Sequence, residues 1–338
     1  MTDNPLVSII ILNLNRKKDL IECLDTIYEQ DYPNFEVILI DNGSSDGSLT
    51  NFPDRFSKVR IYKTKTNLGT SYTRNAGVKF SNGKYIWFLD NDCLITNKSA
   101  LTILINDIKK DPNIAGIGGE TISDSINNES SSTKYLKLFK NGLTKGFFQK
   151  EDEVEVLVIP TCNLFLLKKS ILEVGGFDHF YFFYLEDIDL TYRIAKHGYK
   201  LINKNMLSIL HKFSKASRFR NHFKAKRNRI YFILKNFSLK SILLLPFYDL
   251  KYLISIDSFK RLLSKILSNN KVFKKDLKFS SNKEPNMKNL FHTLEILITT
   301  IISILLSYTY IPIYFIKYNF KKRRKKNYIF DVNPEDFN

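Results

Sequence analysis

The chain has 338 residues, of which 43% are hydrophobic and 25% charged, a composition that excludes wholesale disorder and suffices for a full core. Three widely spaced cysteines, Cys23, Cys93 and Cys162, form no C-x-x-C pair, which argues against a disulfide framework or a zinc site and for a reducing compartment. The net charge of +18 is uneven: residues 211–338 carry 27 Lys and Arg against 8 Asp and Glu, residues 1–210 carry 25 against 26. Such a basic segment usually meets nucleic acid or an anionic membrane.

Met-Thr-Asp-Asn-Pro at the start has neither a basic stretch nor an apolar signal core, so a cytosolic body is expected. Val7–Leu12 is a β-branched run of the kind buried on both faces. Lys17–Gln30 places Leu20, Leu24, Ile27 and Tyr28 at helical spacing. Phe35–Ile40 reads as a second strand, followed by Asp41-Asn-Gly-Ser-Ser-Asp-Gly-Ser, and Ile61 lies in a short third strand. Thr70–Phe80 reads as a helix, Tyr85–Leu89 as a strand, Ala100–Lys109 as a helix and Ile114–Ile117 as a strand. Residues 123–153 are polar with weak periodicity and read as a mobile excursion. Val154–Ile159 and Leu164–Leu167 resume strand character, and Glu186–Lys196 forms a short helix. This alternation predicts an α/β body with a mostly parallel central sheet flanked by helices.

After His211 the character changes. Arg218–Lys235 is basic with interleaved aromatics, and Leu239–Ile256 is apolar but broken by Pro246, Asp249 and Lys251. Ile296–Ile316 is uncharged over 21 residues, about 31 Å as a helix, just enough to span a bilayer. A basic hexad, residues 321–326, comes next. A single span would place it opposite the body, against the positive-inside rule, and a hairpin would expose a lysine-rich loop outside. The expected arrangement is interfacial or re-entrant, kinked at Pro312, with a single span or a soluble apolar helix packed elsewhere as the alternatives. Two domains are predicted: residues 1–217, in halves of about 1–122 and 154–217, and a basic, apolar helical region, residues 218–338.

Chemistry concentrates at strand ends. Tyr85-Ile-Trp-Phe-Leu runs into Asp90-Asn91-Asp92, two carboxylates where parallel sheets bind ligands. Hard oxygen ligands there suit a divalent cation that neutralises phosphate, although a polar turn would look the same. Asp41 ends another strand and can accept hydrogen bonds from a base or sugar, whereas Asp46 fits a turn or helix cap. No G-x-G-x-x-G and no Walker lysine occur, which disfavours dinucleotide cofactors and P-loop nucleotides. Arg74 sits on a glycine-flanked helix, available for a phosphate. Glu186-Asp-Ile-Asp189 puts carboxylates at a helix start, and His211 ends the last strand, where its imidazole suits a metal.

In this order, from Val7 to about Ser217, these pieces resemble the family 2 glycosyltransferases, which have the GT-A fold. The pieces are Val7-Ser-Ile-Ile-Ile, the Asp41–Ser48 turn, Asn67-Leu-Gly with Arg74-Asn-Ala-Gly, Asp90-Asn-Asp92, Val174-Gly-Gly-Phe-Asp, Glu186-Asp-Ile-Asp-Leu with Arg193 and Gly198-Tyr199, and His211. The turn and the ending look like the rhamnosyltransferase-like branch. The resemblance implies that Asp41, with Leu12, Asn13, Asn15, Gly43 and Asn67, holds the nucleotide of the donor. Asp90 and Asn91 would face its ribose and sugar, and Arg74 would support that pocket. Asp92 would bind Mg²⁺ or Mn²⁺, with His211 a further metal or diphosphate contact, and Asp187 would be the general base, with Glu186 orienting it or the acceptor.

The implied reaction is an inverting transfer from a UDP- or dTDP-sugar to a lipid-linked or surface glycan, at the cytosolic face of an anionic membrane and without nucleic acid. Two features depart from the pattern. Leu14 stands where many relatives carry an aromatic, and Cys162-Asn163 replaces the usual small residues before the second half's strand. A sugar-phosphate nucleotidyltransferase would want a Gly-rich, basic loop in place of Leu12-Asn-Leu-Asn-Arg-Lys. A nucleic-acid binder would have no use for the long uncharged run.

Overall fold

The computed structural model describes residues 4–50, 52–123, 131–147, 151–212, 222–255, 308–309, 311–312 and 326–337. The chain divides into a first unit of Met1–Leu138, Thr144–Asn221 and Lys321–Asn338, and a second of Phe139–Leu143 and His222–Phe320.

The first unit begins with β1 (Val7–Asn13), α1 (Lys17–Tyr28), β2 (Phe35–Asp41), β3 (Arg60–Lys63), α2 (Thr70–Phe80) and β4 (Tyr85–Asp90). These strands lie in the order β3-β2-β1-β4, all parallel. Asn13 pairs with Asp41 and Leu12 with Asp90, so three strands finish level and deliver their last polar side chains to one edge. Period-two alternation divides β1 between two cores. Ile9 and Ile11 join Leu20, Leu24 and Ile27 of α1, while Ile10 joins Ala76 and Val78 of α2.

The second half adds β5 (Cys93–Ile95), α3 (Ala100–Ile108), β6 (Ile114–Ser123), β7 (Ser131–Thr133), β8 (Tyr135–Leu138), β9 (Thr144–Phe147), β10 (Glu153–Val156), β11 (Asn163–Leu167), α4 (Lys168–Glu173), α5 (Glu186–Lys196) and β12 (Lys200–His211). Here the sheet is mixed. β11 runs antiparallel between β4 and β6, and β12 is parallel to β6. β5 pairs with the end of β12, setting His211 opposite Cys93 and hence beside Asp92.

Two expectations need correction. The stretch 123–153, expected to be a mobile excursion, contains β7 against β6 and the β8–β9 hairpin among its described residues. Its strands are short and only half-buried, which is why their hydrophobic period is faint. The second correction concerns residues 326–337, assigned with 218–338 to the basic extension but packed in the first unit. Tyr328, Ile329, Val332 and Phe337 are buried there. The Tyr328 N–H donates to the Gly175 carbonyl at 2.7 Å, Lys79 Nζ to the Val332 carbonyl at 2.8 Å, and the Phe337 ring stacks on Tyr72.

Gly175 and Gly176 permit this approach with φ of +80° and +78°. A Cβ on Gly175 would lie 2.2 Å from the Lys326 carbonyl oxygen, and one on Gly176 would lie 2.6 Å from Ile329. Each buried large side chain contributes about 1.5–3 kcal/mol over its exposed state.

The second unit holds α6 (His222–Asn236), α7 (Leu239–Leu243) and α8 (Leu245–Ser255). Of the interruptions read at Pro246, Asp249 and Lys251, none is where the helices part: α7 ends at Leu243, Pro246 lies in the first turn of α8, where its missing N–H costs nothing, and Asp249 and Lys251 lie within α8. Ser238 caps α7, accepting from the Ser241 N–H at 3.2 Å. Arg229 and Asp249 form a buried ion pair at 2.5 Å, with Asn141 and Tyr308 also donating to Asp249. Among the described residues no helix is long and apolar enough to cross a membrane. The run 296–316 lies outside them except at residues 308, 309, 311 and 312, and residues 321–325 of the basic hexad lie outside them too.

Candidate active site

The level strand ends build a polar edge in three parts. In the first, Asn13 Nδ2 donates to Asp41 Oδ1 at 2.8 Å, and Ser44 donates to the same carboxylate through its N–H (3.3 Å) and its hydroxyl. Asn91 Nδ2 donates to Asn13 Oδ1 at 2.7 Å, joining the ends of β1 and β4. Asn15 and Arg16 take left-handed backbone (φ 62° and 66°), which turns the chain sharply between β1 and α1. Leu14, beside them, is exposed. Asn67 Oδ1 accepts from Asn42 Nδ2 and the Gly69 N–H, while Gly43 (φ +81°) lets two loops meet, since a Cβ there would lie 2.7 Å from the Thr66 backbone.

In the second part Arg74, on α2, is only 5% exposed and bridges two carboxylates. Its Nη1 meets Glu186 Oε1 at 2.6 Å and its Nη2 meets Asp90 Oδ1 at 3.0 Å. Burial works against its charge, but Asp90, Glu186 and Asp187 outweigh burial and raise its pKa. The expectation of an arginine available for phosphate therefore fails in this arrangement. Its charge instead neutralises buried acids. Thr70 Oγ1 also donates to Glu186 Oε1, at 2.7 Å.

The third part centres on Asp92. His211 Nε2 lies 3.1 Å from Asp92 Oδ1, and Arg16 Nη1 bonds Asp92 Oδ2. Burial opposes ionisation of Asp92, yet the hydrogen bond and charge of His211 and the charge of Arg16 hold its carboxyl below the ordinary range. The same contact, working against burial, raises His211. Cys93 Sγ joins Asp92 and His211 within 4.8 Å, but burial pushes this thiol well above its ordinary range, so it stays neutral. A carboxylate oxygen and an imidazole nitrogen at one point fit a hard divalent cation such as Mg²⁺ or Mn²⁺, and a neutral thiol adds nothing to that set.

Asp187 faces a cleft of about 290 Å³ whose lining includes Asp90, Asp187, His211, Thr161, Cys162 and Tyr135. Burial, then the charge of Glu186, pushes the Asp187 carboxyl up to about 7, against the pull of Arg74 and of N–H donors at Ile188 (2.8 Å) and Thr161 (3.3 Å). The loop before α5 is bent sharply, with Phe182, Tyr184 and Leu185 all at positive φ. It is held because the Phe182 carbonyl accepts from the N–H (2.7 Å) and hydroxyl (2.9 Å) of Thr70.

The cleft thus gathers Asp90, Asp187 and His211. Asp92 adjoins it through His211, and Glu186 through Arg74 and Asp90. Asn13, Asn15, Asp41, Gly43 and Asn67 form a separate hydrogen-bonded edge, and Leu12 pairs in register with Asp90. Asn163 is structural: it accepts from Trp87 Nε1 at 3.1 Å and donates to the Leu207 carbonyl at 2.8 Å. Arg16 is the residue that sequence reasoning passed over, and Ser44 and Thr70 are lesser cases. The only signal for Arg16 was its place directly after a strand-end Asn-Leu-Asn.

Residues 8–175 match the model of glycosyl transferase family 2. An uncharacterised glycosyltransferase of Haemophilus influenzae is 40% identical over 96 residues, covering 28% of this chain and 38% of its own. Glycosyltransferase AglE of Haloferax volcanii is 28% identical over 206 residues, 58% and 64% of the two chains. A Methanococcus voltae protein, named as a dolichyl N-acetyl-α-D-glucosaminyl phosphate diacetamido-dideoxy-glucuronosyltransferase, is 25% identical over 63% of this chain and 69% of its own.

In structure, the mannosyltransferase PcManGT of Pyrobaculum calidifontis, solved with GDP-Man and Mn²⁺, superposes with a TM-score of 0.58 at 15% identity, over 90% of this chain and 88% of that one. GalNAc-T7, solved with UDP, GalNAc and Mn²⁺, gives 0.56 at 15% identity, over 80% and 58%. The α/β architecture has the fold of these GT-A glycosyltransferases, and the match to the family 2 model covers 168 of the 338 residues.

Proposed function

We propose that this chain is an inverting, metal-dependent glycosyltransferase that moves a sugar from a nucleotide-sugar to a lipid-linked or surface glycan. The observation that carries the reading is the shared cleft of Asp90, Asp187 and His211, in which one carboxyl titrates near neutrality. Such a carboxylate suits a general base at physiological pH.

In this reading the edge formed by Asn13, Asp41 and Ser44 takes the base and ribose, with exposed Leu14 as the apolar contact in place of an aromatic. Arg74 fixes Asp90 toward the sugar. Asp187 accepts the proton of the acceptor hydroxyl as its oxygen bonds the anomeric carbon. The bond from that carbon to the diphosphate oxygen breaks, and its electron pair leaves with the nucleotide. One displacement inverts the anomeric configuration. Asp92 and His211 would hold a divalent cation, whose charge would favour departure of the diphosphate. Arg16, already at Asp92, adds a second cation on that side.

The archaeal relative named for a dolichyl phosphate substrate supports a lipid-linked acceptor. The basic residues after His211 suit the cytosolic face of an anionic membrane. The rhamnosyltransferase-like branch rests on the Asp41–Ser48 turn and the last pieces of the family-like segment, and a UDP- or dTDP-sugar is the donor we propose for it.

The test is thermal stabilisation by nucleotides and nucleotide-sugars, with and without Mn²⁺. A cognate donor at 100 times its Kd stabilises by about 2.7 kcal/mol. Asp92→Ala is expected to remove the Mn²⁺-dependent part of that shift. If no nucleotide or nucleotide-sugar raises the midpoint with Mn²⁺ present, the reading is wrong.

A further inference from the structure

We infer that the basic, apolar stretch between Lys212 and Lys326 begins and ends on the same side of the membrane, so that the chain is not a single-pass protein. The inference rests on the proposed membrane association and deepens it. Its ground is the packing of residues 326–337 in the first unit.

Both flanks of the stretch are fixed to one folded body. On the N-terminal flank, the Lys212 N–H donates to the Asp92 carbonyl at 2.9 Å and Arg16 Nη2 donates to the Lys212 carbonyl at 2.8 Å. On the C-terminal flank, Tyr328 is bonded to Gly175, Ile329 sits against Gly176, and Tyr72 holds both Asp336 and the Asn333 N–H. Residues 326 and 327 fill the space a side chain on Gly175 would need, and Ile329, with Asn75, fills that beside Gly176. A single span would put these two flanks in different compartments, which a shared core forbids. It would also carry Lys326, Asp331, Glu335 and Asp336 across the bilayer.

The same packing removes the conflict in the sequence. With residues 326–337 on the body, Lys326, the last cation of the hexad, is on the body's side, as the positive-inside rule requires. The α7 and α8 helices fit contact from one side. Leu239, Leu243, Phe247 and Leu250 are exposed on them, beside Lys240 and Lys251, a mixture suited to an anionic lipid surface.

The experiment uses the full chain in sealed membrane vesicles and cysteine labelling with a membrane-impermeant maleimide. The native cysteines are buried, so Ser57→Cys and Glu335→Cys, both at exposed positions, report the two parts of the first unit. Equal labelling of both from the cytosolic side, and of neither from the other, is the expected result. A vesicle-bound chain labelled at the two positions from opposite sides would overturn the inference alone. A chain that stays in the supernatant, with anionic vesicles present, would overturn it together with the membrane reading. An Ile329→Asp variant that melts with the parent protein would also overturn it, because the packed segment would then hold nothing.

Discussion

Asp187→Asn is expected to lower sugar transfer by about 10²–10⁴-fold while leaving the fold intact and making it more stable above neutral pH. The stability change has a definite sign. In the unfolded chain an aspartate titrates near about 3.9, whereas in the fold Asp187 titrates at about 7. Between these values the native state keeps a proton that the unfolded state has released, so the parent protein loses stability as pH rises through that window. Asparagine has no proton to lose. The gap between the melting midpoints of variant and parent therefore opens from pH 4 to 7 and stays constant above. Melts at pH 5 and pH 8, beside a transfer assay, check both halves. Full activity in the variant would remove Asp187 as the base. Glu186→Gln is expected to shift the acid limb of kcat/KM to lower pH, since the charge of Glu186 is one of the two causes that raise Asp187.

Arg74→Ala has the largest expected effect on stability, a loss of about 3–5 kcal/mol. It leaves Glu186, at 5% side-chain exposure, without its cation, and strips Asp90 of the contact that orients it. Asp90, at 31%, recovers some hydration, so the Glu186 end dominates the cost. Adding Glu186→Gln to Arg74→Ala is expected to return part of the loss, because a buried amide costs less than a buried unpaired charge. Urea midpoints of the parent, both single variants and the double variant give the coupling directly. A parent-like midpoint for Arg74→Ala would mean the bridge contributes nothing.

The strand ends were legible because buried strands write themselves as continuous apolar runs, and a polar residue closing such a run must emerge at an edge. Strand direction was not legible. β11 has the same apolar character as β4, and nothing in Asn163–Leu167 says that it runs antiparallel to it. The roles of Arg74 and Glu186 depend on a contact between residues 112 apart, which local pattern does not encode. Arg16 was hidden for the same reason, since its partners Asp92 and Lys212 arrive from other strands. Residues 326–337 were obscured by composition. A hexad of cations precedes them and only Tyr328, Ile329, Val332 and Phe337 are buried, too few to mark a core segment by period. The Gly175-Gly176 motif was legible as a family feature, but its steric reason appears only once residues 326–329 lie against it.

That late segment has a consequence for biogenesis. A ribosome releases the chain in order, at about 5–20 residues per second, so β1 through β12 are free to assemble while residues 213–325 are still being made. Until residues 326–337 emerge, Gly175, Gly176 and, on α2, Tyr72, Lys79 and Phe80 lack the contacts that segment gives them. On the proposed membrane association, the basic, apolar stretch is available to a lipid surface before the folded body is sealed. Synthesis itself then sets the order: the body's first strands and helices come first, and the segment that closes the Gly175–Gly176 face comes last.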